Sequence, residues 1–202
     1  MLIEVSQSSV LDVYQMLVGL VTPRPIAWVT TLSKTGVVNL APFSFFNVFG
    51  ANPPVVVFSP TLKRDGTKKD TLLNIEATRE FVINASTEVH AEKVNQSSAS
   101  LPPEESEVAL IGMETVPSIH VRPPRLLGVP FSLECRLLEI KSYGSGPIAP
   151  NLVIGEVVTI HVDDAVLGVD GHPDPRRLKT VARLGSEYWC RTQDLFEFSR
   201  PK

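Results

Sequence analysis

Two short stretches of this 202-residue chain carry residue types suited to holding a small anion. Thr67-Lys68-Lys69-Asp70-Thr71 sits where a helical pattern begins, and a helix N-terminus offers unpaired amides at the positive end of its dipole. Lys69 and the Thr71 hydroxyl are the first phosphate candidates. Asp70 is expected to turn aside as the helix cap, because a carboxylate facing a phosphate is repulsive. The bland alternative is a solvated lysine pair ahead of a helix. The second stretch is Arg183-Leu184-Gly185-Ser186-Glu187-Tyr188. The planar fork of Arg183 suits bidentate contact with a phosphate or an acidic group, and suits an interface ion pair equally well. Arg24, between Pro23 and Pro25, combines a rigid backbone with a long charged reach, fit for a phosphate contact or for a solvent-facing loop. His161 falls in a strand-like run, where it would either approach a bound ring or sit as a satisfied core histidine.

Other chemistries lack support. There is no Gly-x-Ser-x-Gly elbow and no phosphate loop ending in Gly-Lys-Ser/Thr. Gly144-Ser145-Gly146 is followed by Pro147 and opens no helix, so it reads as a turn rather than a dinucleotide fingerprint. His90, His120, His161 and His172 are scattered, and Cys135 and Cys190 stand alone, which predicts no metal site and two reduced thiols. A formal net charge of −3 argues against nucleic acid or an anionic membrane surface as partner. Apolar runs such as Val55 to Phe58 are far shorter than the roughly 20 residues of a membrane span. The start Met1-Leu2-Ile3-Glu4 lacks the pattern of a secretory signal, so the expected location is cytoplasmic.

The elements that must position these residues are mainly strands. Val10, Val13, Leu17 and Leu20 predict a helix over 9–20 with Ser8 or Ser9 as its cap, ended by Thr22-Pro23-Arg24-Pro25. Ile26 to Leu32 and Val37 to Phe43 flank Ser33-Lys34-Thr35-Gly36 and predict a hairpin. Val55 to Ser59 and Phe81 to Ala85 are short strands, while Phe131 to Tyr143 and Val153 to Val162 are long ones. Helices are expected over 70–79, with Asp70 as cap, and over 88–96. Ser97 to Pro103 reads as a loop, and Pro173 to Pro175 as a surface loop. With hydrophobic residues at 43% and no long linker, residues 1–202 are expected to form one domain, mainly β with a few helices.

An ordered series of motifs then narrows the reading. Thr22-Pro23-Arg24-Pro25-Ile26-Ala27-Trp28-Val29-Thr30-Thr31 is followed by Asn39-Leu40-Ala41-Pro42-Phe43-Ser44-Phe45-Phe46-Asn47. Pro53-Pro54, Lys69-Asp70-Thr71, Phe81-Val82-Ile83-Asn84 and Gly155-Glu156-Val157 come next. Together they resemble the flavin reductase-like family of FMN-binding split β-barrels, in its flavoredoxin-like branch. The resemblance implies a homodimer that binds FMN and takes NADH or NADPH as co-substrate. It implies a monooxygenase or another electron acceptor downstream; the alternative is a non-enzymatic FMN electron carrier of flavoredoxin type. An isoalloxazine ring needs a flat apolar slot with a few polar groups along one edge. Phe45, Phe46 and Trp28 would supply the walls, and Ser44 and Asn47 the edge contacts, although the aromatics would serve as ordinary core just as well. The implied cofactor-binding set also takes in Thr30 and Thr31. Lys69, Asp70, Thr71 and Arg183 complete it at the phosphate end. No catalytic acid or base is assigned, because the flavin carries the redox chemistry.

Overall fold

A computed structural model describes residues 1–201. A 3₁₀ turn at Val5–Gln7 leads into helix α1 (Val10–Leu20), whose first turn is capped by Ser9: its Oγ accepts the Asp12 amide at 3.1 Å. The strand pair β1 (Arg24–Pro25) is followed by β2 (Ala27–Leu32) and β3 (Val38–Phe43), which form the expected hairpin. Gly36 adopts φ 90° in its turn, a conformation open to glycine at little cost. Next come β4 (Phe46–Ala51), β5 (Pro54–Phe58), helix α2 (Asp70–Thr78) and β6 (Glu80–Asn84). Helix α3 (Ala91–Gln96) follows a 3₁₀ turn at Glu88–His90, and then α4 (Glu107–Leu110) and the small pair β7 (Thr115–Val116) and β8 (Arg125–Leu126). The long strands β9 (Phe131–Ser142) and β10 (Asn151–Val162) precede a short helix α5 (Pro175–Leu178) and a hairpin of β11 (Val181–Arg183) and β12 (Trp189–Arg191).

Seven strands form one antiparallel sheet in the order β3-β2-β6-β9-β10-β5-β4, with β3 and β4 as unjoined edges. The expected mainly-β architecture is thus observed as an open barrel. A separate sheet joins β1, β11 and β12. Differences from the sequence reading are local: α2 takes Lys69 rather than Asp70 as its N-cap, and a short helix over Pro175–Leu178 begins at the last residue of the loop expected over 173–175. Asp174 caps that helix by accepting the Arg176 amide. Among the described residues no helix is long and apolar enough to cross a membrane.

Strand β2 is covered on both faces. Its side chains alternate, so Ala27 and Val29 pack with Phe43, Phe58, Phe81 and Ile75, while Trp28 packs with Leu40, Val94, Ile111 and Val181. Trp28 is 0% exposed and its indole N–H donates to Ser97 Oγ at 2.8 Å. It is therefore core, not a wall against which a flavin could lie. The motif residue Asn84 is equally structural: its amide donates to Trp28 O and accepts from Leu126 N and Ser132 Oγ, joining β2, β8 and β9.

His161 resolves the same way. Its Nε2 lies 2.6 Å from Glu134 Oε1, and that carboxylate, fully buried, also accepts the amides of Ile119 and His120. The group anchors the 117–124 segment to β9. Burial alone would raise the Glu134 pKa, but the two amides and His161 outweigh it and hold the carboxyl below its usual range. A lowered folded-state pKa contributes stability above the unfolded pKa, and that contribution is lost as pH falls through the folded value. Gly155 explains another motif. It sits at a register shift between β9 and β10, and a Cβ there would run into Cζ of the fully buried Phe81.

Two outcomes follow. Gly155→Ala should lower stability by about 2 to 3 kcal/mol in urea unfolding, because the buried ring has nowhere to move; a change within experimental error would contradict the close approach. Glu134→Gln should cost on the order of 3 kcal/mol at neutral pH. The gap to wild type should narrow as pH falls from the unfolded carboxyl pKa down through the folded one, and a gap independent of pH would contradict the assignment.

Candidate functional site

Two adjoining cavities, which share Pro42 and Ser98 in their walls, lie beside β3. The smaller opens at the start of α2. Lys69 has extended backbone angles (φ −72°, ψ 151°), so the next amides enter the helix without intrahelical acceptors. The neighbouring lysines are engaged: Lys68 pairs with Glu76 at 2.6 Å and Lys63 with Asp70 at 3.4 Å. Lys69 forms no ion pair among the described residues. Burial pushes its ammonium below the ordinary lysine range, Lys63 adds to this, and Asp70 opposes it. An incoming anion would oppose that fall by favouring the charged form. Thr71 Oγ1 is buried and accepts from Asn39 Nδ2 at 2.9 Å, which leaves the hydroxyl proton to donate. Glu107 lines the same pocket with Oε2 on the Leu40 amide; burial raises its pKa and the charge of Asp70 adds to the rise.

The larger cavity, about 970 Å³, lies between α1 and the β11–β12 turn. Tyr14, Gln15 and Val18 come from α1; Ser186, Tyr188 and Trp189 come from the hairpin. Arg24 joins these walls. It is only 6% exposed, and its guanidinium donates to Val18 O, to Val21 O at 2.9 Å, to Leu184 O at 2.9 Å and to Ser44 Oγ at 3.4 Å. Burial lowers its pKa, with Tyr14 opposing and Arg183 adding to the fall. The walls also meet backbone to backbone, since a Cβ on Gly185 would lie 2.9 Å from Gly19 Cα. Arg183 donates Nη2 to Ser186 O at 2.6 Å and lies over Trp189, 5.1 Å from the ring centroid.

The sequence candidates divide accordingly. Lys69, Asp70 and Thr71 line the smaller cavity; Ser44, Arg24 and Arg183 line the larger. Asp70 is held by Lys63 instead of capping the helix. Trp28, Thr30 and Thr31 are 0% exposed and leave no surface for a ligand. Thr30 Oγ1 donates to Pro124 O, and Thr31 Oγ1 accepts from Asn74. Phe45 stands edge-on to Tyr14 at 6.3 Å, and Phe46 packs on the first core cluster. Asn47 is exposed on the edge strand β4, where its own Oδ1 accepts the Val48 amide, and lines neither cavity. Neither Asn47 nor Phe46 is thus brought together with the other candidates around these two cavities. Sequence reasoning missed Asn39, Glu107, Ser98 and Tyr14. Asn39 lay within a quoted motif; Ser98 had no signal beyond a serine-rich loop.

The structure thus sets a helix start with a partly buried lysine beside a cavity lined by Tyr14, Tyr188 and Trp189 in a mainly-β open barrel. The family model for the flavin reductase like domain matches residues 19–172, and the chain belongs to that family. An uncharacterized protein of Halalkalibacterium halodurans is 44% identical over 190 residues, covering 93% of this chain and 90% of that one. The crystal structure of nitrilotriacetate monooxygenase component B from Bacillus cereus superposes with TM-score 0.92 at 33% identity, over 98% of both chains. That of the 2-nitrobenzoate 2-nitroreductase NbaA from Pseudomonas fluorescens gives 0.89 at 30% identity, over 100% of this chain and 96% of the other.

For this site, Lys69→Ala should weaken FMN by about 10- to 150-fold, the loss of one charge-assisted hydrogen bond, and leave riboflavin nearly unaffected. Fluorescence titration of the apoprotein with both flavins checks it. Equal losses for the two would remove Lys69 from the phosphate site.

Proposed function

We propose that the chain is an FMN-dependent oxidoreductase of the flavin reductase type, working as a homodimer with NADH or NADPH as co-substrate. The observation that carries this reading is the adjacency of the two cavities: a partly buried lysine without an ion-pair partner among the described residues, at a helix start, lines a pocket that shares Pro42 and Ser98 with a cavity large enough for a ring system. Bound FMN would supply the redox chemistry, accepting hydride from the nicotinamide and passing electrons to an acceptor.

The chain's own residues would bind, orient and exclude. Lys69, the Thr71 hydroxyl and the first amides of α2 would hold the phosphate, with Asn39 fixing the Thr71 rotamer. Tyr14, Tyr188 and Trp189 would limit water at the cavity. Glu107 would keep Oε2 on the Leu40 amide, so that oxygen is already engaged in the pocket wall. A second copy of the chain would cover α1, which exposes Val10, Leu11, Leu17 and Leu20, and the edge strand β4, which exposes Val48 and Phe49. The relatives named a monooxygenase component and a nitroreductase support an acceptor outside the chain, either a partner monooxygenase or a small oxidised molecule.

Purified protein supplied with FMN should oxidise NADH or NADPH at about 1 to 1000 turnovers per second, followed by nucleotide absorbance, and sediment as a dimer. Tight FMN binding without nucleotide oxidation would make it an electron carrier instead. Failure to bind flavin would overturn the proposal.

A further inference from the structure

The two sides of the larger cavity meet at an unfavourable pair. The β1–β11 register sets Arg24 directly opposite Arg183, and residues so opposed share a face of the sheet, where like charges destabilise. Neither arginine forms an ion pair among the described residues. Glu187, in the same wall, pairs with neither. A fold with no use for this arrangement would place opposite charges across the strands; local rules broken in this way cluster at functional sites. We propose that Arg24 and Arg183 form an oxyanion subsite for the second substrate, the molecule that exchanges electrons with the flavin; the proposal rests on the flavin reading above.

The two guanidiniums divide the work. Arg24 is fixed by its carbonyl contacts and supplies a buried, immobile charge. Arg183 spends only Nη2, on Ser186 O; its Nε and Nη1 have no acceptor among the described residues, so one edge of the fork is free for a bidentate contact. Trp189 beneath it and Tyr188 beside it give a planar substrate something to stack on. An oxyanion here would relieve the repulsion that helps lower the Arg24 pKa. The flavin phosphate is not the natural occupant, because Lys69 and the α2 start belong to the other cavity, which neither arginine lines. Two substrates carry the right group: the diphosphate of a nicotinamide dinucleotide and the carboxylate of an aromatic acceptor.

The test compares the wild type with Arg183→Gln and Arg183→Lys, all loaded with FMN. Perturbation of the flavin absorbance gives dissociation constants for two matched pairs, NAD⁺ with nicotinamide riboside and benzoate with benzamide. The wild type should prefer the phosphate- or carboxylate-bearing member of at least one pair by about tenfold or more, and which pair responds identifies the source. Arg183→Gln should abolish that preference and Arg183→Lys should keep part of it. The ratio of FMN to riboflavin affinity should stay the same in both variants, which also shows that they fold. A wild type without preference in either pair, or a preference that survives Arg183→Gln, overturns the proposal. A collapse of the FMN-to-riboflavin ratio in Arg183→Gln also overturns it, by assigning the arginines to the flavin phosphate. A wild type that binds no flavin overturns the proposed function, and the subsite falls with it.

Discussion

One buried guanidinium holds the larger cavity together. Helix α1 contributes only Val18 to the buried side chains, so its apolar packing alone holds it weakly. Arg24 reaches two carbonyls at the end of that helix and one in the β11–β12 turn, 160 residues away in the chain. Burying such a charge carries a desolvation cost, which its carbonyl contacts offset. Gly19 and Gly185 let the same two walls approach backbone to backbone. The helix and hairpin are thus one unit, and the cavity exists only while that unit stays closed.

The smaller cavity depends on a different constraint, the two-sided burial of β2. Because β2 is packed on both faces, its neighbour β3 is held in register, and Asn39 on β3 can reach Thr71 at the start of α2. The helix packs Leu72 and Ile75 into the core, and this packing leaves Lys69 lining the pocket, partly buried and without an ion-pair partner among the described residues. The proposed anion site would therefore be a consequence of how the sheet and helix are packed.

Local pattern carried much of the fold. The glycine-containing turn between β2 and β3, the long strands β9 and β10, and the Ser9-capped helix were legible because each rests on neighbours in sequence. The position of Lys69 and Thr71 at a helix start was legible for the same reason, since a helix start is a local feature. The aromatic residues were not. Trp28 and Phe46 have the composition of a ring slot, yet burial depends on which sheet face a residue meets and on what covers that face, and both are tertiary. The exposure of Asn47 was not legible either, because it depends on β4 being an edge strand. Tyr14 and Trp189 were invisible as a pair, since only Arg24 and the facing glycines bring α1 and the last hairpin together. The arginine pair shows the remaining gap: each residue was singled out, but their opposition required the strand register.

The central claim is that a flavin phosphate sits at the α2 start while the ring occupies the cavity between α1 and the β11–β12 hairpin. A crystal structure of the FMN complex tests this directly. The account predicts phosphate oxygens within hydrogen-bond distance of Lys69 Nζ and the first α2 amides, with the isoalloxazine ring passing Pro42 and Ser98 into the cavity walled by Tyr14 and Trp189. A phosphate bound between Arg24 and Arg183, or a ring lying along Asn47 on the outer edge of β4, would contradict it.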